Sequence, residues 1–360
     1  MRRPSKVALA VASSWLGVLT GLAEARAAPM DPAPSRLVTQ PGLPAGFTCQ
    51  EIAQNPNLVL QAPFPTGALP NDYPCLPNNV AWANLMSELG MAIAPTAMHP
   101  ARTTGYGGFD LSLEATFTHI NANAVAGGLA YWRVGTQGPG DPDSYIQVYS
   151  LKASKGLPFG FEVAGTVGYV ARTTLWVWGA DARWALLEGY RTGLLGALPD
   201  VAFGAGVRSV SGASTFYLTT VGIDGGLSKP FSLRDSAILT PHVGVQQVIV
   251  FADSAVVDLT PSVDAYQQCG YMGENGGTPV CSQTLANGAP NDADFNNITS
   301  FQRARVYRWR ALAGVDYRYE IVSLAAQFAM DVTAPGAENA GIGITGDRQW
   351  AMSLAAGLVF

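Results

Sequence analysis

Apolar and polar positions alternate with a period of two along most of the chain from Phe109 onward. Phe109, Leu111, Leu113, Ala115 and Phe117 interleave with Asp110, Ser112, Glu114, Thr116 and Thr118. Successive strand residues point to opposite faces, so this stretch predicts a strand with one greasy and one polar side. The same reading predicts strands near residues 144–152, 159–170, 175–188, 201–210, 215–227, 237–251, 304–319 and 321–332, and a last one over 349–360. That makes ten, or up to twelve if residues 129–134 add to the wall. The 144–152 stretch is ambiguous, because neither of its faces is cleanly apolar. Upstream the period changes. Trp82, Leu85, Met86 and Leu89 recur at helical spacing behind an asparagine, which predicts a short amphipathic helix over 79–90, stopped by Gly90 and Pro95. Such a helix either plugs or lids the periplasmic mouth of a barrel or packs beneath its rim, and rim packing is the simpler expectation.

An even strand count puts both ends of the barrel segment on one side, and the connections then sort into two sets. One set is short: 152–158, 188–199, 227–236 and the turn at Tyr319 and Glu320. The other holds every long connection: 119–143, 252–303 and 333–347, with short turns near Arg172 and Ser211. Aromatic residues bracket the apolar faces. Tyr307 and Trp309 open the outward face of the 304–319 strand and Tyr317 and Tyr319 close it, while Trp176, Trp178 and Trp184 do the same on 175–188.

The chain has 360 residues, 48% hydrophobic and only 13% charged, which is apolar for a water-soluble protein. Beyond the first 27 residues no apolar run reaches the roughly 20 residues of a helical span, whereas a barrel dilutes its apolar signal twofold along each strand. A net charge of −5 without a basic stripe argues against nucleic acid as a partner. Arg2, Arg3 and Lys6 precede an apolar run from Val7 to Leu22, and Ala25, Arg26 and Ala27 form a small-x-small site, so residues 1–27 read as a signal peptide. Residues 28–100 then form a proline-rich periplasmic segment carrying the helix, and 101–360 the barrel. Export permits disulfides. Of the three connectivities open to four cysteines, the local one is expected, Cys49 with Cys75 and Cys269 with Cys281.

On the closing strand, Trp350, Met352, Leu354, Ala356, Leu358 and Phe360 share one face. A strand of this kind with a terminal aromatic resembles the closing strand of bacterial outer-membrane β-barrels. The resemblance implies an all-β transmembrane antiparallel barrel in the outer membrane, with Trp350, Leu354, Leu358 and Phe360 as its assembly signal. It also implies outer-membrane lipid and the barrel-assembly machinery as partners.

With those faces outward, the lumen receives Asp110, Glu114, Glu162, Asp181, Arg183, Arg208, Asp224, His242, Arg308, Arg310, Asp316, Arg318 and Asp331. Buried charges need partners or water, so these residues either fill the barrel with ion pairs or line a wet path. The first expectation for function is a passive channel or transporter for small or hydrophobic cargo. The alternatives are a structural or adhesive barrel with a packed ionic interior and a braced long loop, and a hydrolase at the outer rim. Hydrolysis would need a base, and only His119 lies near that rim, without a recognisable partner motif. No cofactor motif is present. Asp292, Asp294 and Asn296 open like a calcium loop, but Asn297 and Arg303 stand where it needs glycine and glutamate, and no histidines flank the cysteines for zinc.

Overall fold

The computed structural model of the chain describes residues 28–39, 76–138, 141–189, 198–234, 237–258 and 298–360. Within them, ten antiparallel strands close into an up-and-down barrel: β1 (Phe109–His119), β2 (Tyr145–Gly156), β3 (Phe161–Val170), β4 (Trp176–Leu187), β5 (Asp200–Ser211), β6 (Phe216–Ser228), β7 (Ala237–Ser254), β8 (Ala304–Tyr319), β9 (Val322–Asp331) and β10 (Trp350–Val359). Each strand pairs with its sequence neighbour. The ring shuts where β10 meets β1 with Ala351 opposite Thr118 and Val359 opposite Asp110. Phe109 and Phe360 exchange backbone hydrogen bonds of 3.1 and 2.8 Å at that seam. A four-residue continuation of β6, Phe231–Arg234, pairs with the start of β7 and adds no separate wall strand. Closure leaves no unpaired edge, the condition for a sheet to sit in hydrocarbon.

The strand faces follow the sequence periodicity. Leu111, Leu113, Leu151, Val163, Phe203, Val243, Val245, Leu324, Met352 and Leu354 stand exposed on the outside. Aromatic residues ring that apolar band at both heights, Tyr145, Tyr169, Trp176 and Trp350 at one end and Phe109, Phe161, Trp184 and Phe360 at the other. Residues 129–134 do not join the wall. Leu129–Ala130 pairs with Val125–Ala126 in a small hairpin, and Tyr131–Val134 forms a single helical turn, α2.

The main departure from the sequence reading lies inside. The helix, α1 (Asn79–Ile93), runs through Gly90 for one further turn, about 22 Å in all. Its cap is Asn78, whose side chain accepts the Ala81 amide at 3.0 Å. Gly90 does not end the helix but lets it pass close to the wall: a Cβ there would lie 2.4 Å from a methyl carbon of Val250. Nor does α1 sit under the rim. Trp82, Leu85, Met86 and Leu89 are buried, and so are Asn84, Ser87 and Glu88 on its other faces, because the barrel surrounds it. Trp82 stacks on Phe301 at 5.0 Å and meets Phe216 edge-on at 6.2 Å.

This explains the ambiguous 144–152 stretch. In β2, Ile146 and Val148 point inward and are buried, as are Val177, Leu218, Val248, Val250 and Val306 on other strands. At this height both faces of the wall are apolar, one toward lipid and one toward α1. Replacing Gly90 with leucine should force Val250 and the helix apart and cost about 1–3 kcal/mol. The urea midpoint of the detergent-solubilised barrel should fall accordingly; an unchanged or higher midpoint would show that the close approach is not required.

The sealed lumen as candidate functional site

The end of the barrel carrying Phe109 and Phe360 and the opposite, long-loop end differ in how they are filled. At the loop end, α1 is tied to three connections. Asn78 donates to the Gly127 carbonyl at 2.8 Å, and Asn79 accepts the Gln302 amide at 2.8 Å. Asn84 is used to capacity: it donates to the carbonyls of Val80 and Gly343 and accepts the amides of Thr345 and Gly346, both at 3.0 Å.

One turn further, Glu88 sits level with the loop-side ends of β1, β9 and β10, at the barrel mouth. Its two oxygens accept Tyr131 Oη and Trp132 Nε1 of α2, each at 2.5 Å. Beside it Arg308 donates to Ser87 Oγ at 3.3 Å and to Gln349 Oε1 at 2.5 Å, and pairs with Asp331. Gln349 closes the circuit by donating to the carbonyls of Glu88 and His119, while its own amide goes to Asp331 at 2.8 Å. Arg308 and Asp331 are 2% and 1% exposed, so this is a fully enclosed polar plate joining helix, loop and wall. Asn84, Glu88, Tyr131, Trp132 and Gln349 were not among the residues expected to line the lumen. The available signal was a glutamate and an asparagine inside a helix otherwise read as an apolar stripe.

Below α1 the interior is ionic. Arg208 forms a two-pronged pair with Asp181 at 2.9 Å, and Arg183 pairs with Glu162 at 2.7 Å. Glu114 meets Lys152 at 3.5 Å, a lumen residue that the ambiguous strand had concealed. Arg310 is buried and donates through Nε to Gln246 Oε1 at 2.6 Å. His242 is buried, with Nε2 3.2 Å from Gln327 Oε1. Asp224 borders a cavity, and Asp110, Asp316 and Arg318 are half-buried near the Phe360 end. Through this level runs the segment from Pro95 to Thr104, so residues 101–104 lie inside the barrel, and Tyr106 and Gly107 are exposed where the chain leaves it. His99 lies on that segment inside the barrel, against cavities of about 310 and 350 Å³ that include the water they open to.

Other expectations resolve differently. Among the described residues His119 has no hydrogen bond or ion pair to a serine or carboxylate side chain: its ring stacks on Trp350 at 5.4 Å and meets Tyr145 at 5.5 Å, within the aromatic rim. Trp350 therefore packs in that rim, and Leu354, Leu358 and Phe360 are exposed on the outer face. The expected leader at 1–27, the Cys49, Cys75, Cys269 and Cys281 pairs and the broken calcium motif lie outside the described residues. Among the described residues no cluster of three metal-binding side chains occurs. Residues 28–39 and 76–78 lie at the loop end of the barrel, opposite Phe360.

No family model and no curated protein matches the chain. Among solved structures it is similar to Ail, the attachment invasion locus protein of Yersinia pestis, at 12% identity over 71% of this chain and 99% of that one, with a TM-score of 0.24. The outer membrane protein OprG from Pseudomonas aeruginosa matches at 11% identity over 73% and 99%, with a TM-score of 0.24. The translocator domain of the autotransporter NalP from Neisseria meningitidis matches at 9% identity over 71% and 88%, with a TM-score of 0.29.

Burial pushes the Glu88 carboxyl up from 4.5 to about 7, against the opposing pull of the Tyr131 and Trp132 donors and the Arg308 charge. The protonated form fits the site, since its O–H can donate to Tyr131 Oη while the other oxygen still accepts from Trp132. A raised acid pKa favours folding fully below about 4.5, and that contribution, on the order of 3 kcal/mol, is lost as pH climbs through about 7. Thermal stability should therefore fall between pH 5 and pH 8, and Glu88→Gln should flatten that slope. A slope unchanged in the glutamine variant would assign the pH dependence elsewhere.

Proposed function

We propose that this protein is an outer-membrane β-barrel that works as a closed body, holding its long loops and its amino-terminal segment at the cell surface. The observation that carries this reading is the filled lumen: α1, buried on every face, occupies the loop-end half, and the segment after it, held through its main chain by Arg310, Gln246, Gln327 and Arg183, runs through the rest. The apolar exterior with aromatic rims, and long connections gathered at one end, support the membrane assignment and an orientation with the loops outside. Outer-membrane lipid and the barrel-assembly machinery are the partners this reading needs. The loop-end cap suits an anchoring or adhesive role. It joins α1 and residues 28–39 to the 119–145 connection and to the loop before β10, with Leu37, Val38, Tyr131, Trp132 and Ile344 packed in one core.

A second reading, passive transport of small molecules, draws on the two cavities flanking His99, and it requires α1 to leave its seat. Planar-bilayer recordings separate the two. The closed-body reading expects current from the intact protein to be indistinguishable from that of protein-free membranes. It also expects steps to emerge when the α1 seat is disrupted, as in a Trp82→Asp, Leu85→Asp double variant. Sustained steps from the intact protein would overturn the closed-body reading in favour of transport.

A further inference from the structure

We propose that the chain is threaded once through its own barrel, so that the residues before α1 lie on the loop side of the membrane while the barrel wall begins on the other. The path can be followed atom by atom. Residues 28–39 are woven into the loop end by main-chain bonds: Met30 N to Arg172 O at 3.1 Å, Ala33 N to Gly135 O at 2.7 Å, Gln137 N to Asp31 O at 3.1 Å, and a bridge pairing Pro32 with Thr136. The Asp31 carboxylate fixes the same corner by accepting the Thr174 amide at 2.6 Å. Thr39 pairs with Leu76 and Val38 with Pro77, so both of these short segments stand at this mouth. The chain then enters as α1, descends past Val250, and reaches Gly108, whose carbonyl accepts the Gly156 amide at 2.9 Å beside the Phe109–Phe360 seam.

The wall holds the lower part of this path through the main chain. Gln246 and Arg310 both donate to the Pro95 carbonyl, Gln327 to Thr96 O at 2.6 Å, and Arg183 to Pro100 O at 2.5 Å and Arg102 O at 3.3 Å. In the other direction Ser228 Oγ accepts the Ala101 amide at 2.9 Å, Glu188 the Thr103 amide at 2.8 Å and Glu162 the Thr104 amide at 2.9 Å. The wall also gives way to the chain, since a Cβ on Gly206 would stand 3.0 Å from Pro95. Charged side chains that read as pore lining thus act as a binding track for an extended polypeptide. The track holds the segment mainly by its backbone and adds the hydroxyls of Thr96, Thr103 and Thr104, which donate to Glu114, Glu188 and Glu162.

The cell-surface side of this inference rests on the orientation proposed above, while the threading itself does not, and one experiment separates them. An epitope is inserted after Thr39, after Tyr106 or after Gly341 in three otherwise intact chains, and antibody labelling is compared in whole and permeabilised cells. Threading expects the Thr39 tag to behave as the Gly341 loop tag does and opposite to Tyr106. Thr39 labelling that instead follows Tyr106 overturns it. Gly341 hidden and Tyr106 exposed in whole cells would refute the orientation alone. Should the Thr39 insertion prevent assembly, the pair Pro32→Cys and Thr136→Cys supplies the readout. Bridged residues of an antiparallel pair lie within disulfide reach, so a reducible mobility shift of the membrane-assembled protein is expected, and its absence contradicts the threaded path.

Discussion

The structure depends on one constraint: ten strands enclose more room than their own side chains fill, and the space must be occupied by something that leaves few buried polar groups unmatched. α1 meets it at the loop end by presenting apolar side chains to apolar wall positions and by aiming Asn84, Ser87 and Glu88 at waiting partners, with the Trp82 indole N–H left unpaired among the described residues. Asn84 makes three of its four bonds to one loop, and Glu88 receives two donors from another. Below Ile93 a helix would end with unsatisfied carbonyls. Pro95 and Thr96 instead turn theirs to Arg310, Gln246 and Gln327.

The barrel is therefore two environments stacked along one axis. The loop-end half is a protein core, with Trp82, Leu85 and Met86 against Leu218, Val248 and Val250, and it resists rearrangement by packing. The Phe360 half is a network of paired charges around an extended strap, held by hydrogen bonds to its backbone and to three threonine hydroxyls. Removing one member of a buried pair such as Arg183–Glu162 leaves an uncompensated charge, so the ionic half is as intolerant of truncation as the apolar half, for a different reason. At the loop-end mouth the polar plate of Glu88, Arg308, Gln349 and Asp331 couples the outer loops to the wall.

Most of the wall was legible in the sequence because period-two alternation survives wherever one face meets lipid and the other meets charge, as in residues 109–117. It blurred where both faces are apolar. Ile146 and Val148 made β2 ambiguous because their partner, α1, is remote in sequence. Gly90 looked like a helix stop because glycine usually is one, and only the nearness of Val250 shows its use as a close-contact residue. Parity alone gave the residues expected in the lumen, but it says nothing of their pairing, such as Arg208 with Asp181 or Arg183 with Glu162. That the charged groups grip a strap rather than line a path was invisible, since a main-chain acceptor leaves no mark on the sequence. The same holds for the amino-terminal residues, whose proline-rich composition reads equally well on either side of a barrel.

The central claim is that α1 is part of the folded core and not a detachable accessory. Hydrogen exchange of the full-length protein in lipid nanodiscs tests it most directly, by comparing the amides of residues 82–93 with those of β7 over 243–252. The account expects both sets to share the slowest protection class, because α1 can open only if the packed lumen opens. Exchange of the helix amides within seconds, while β7 stays protected for hours, would contradict it.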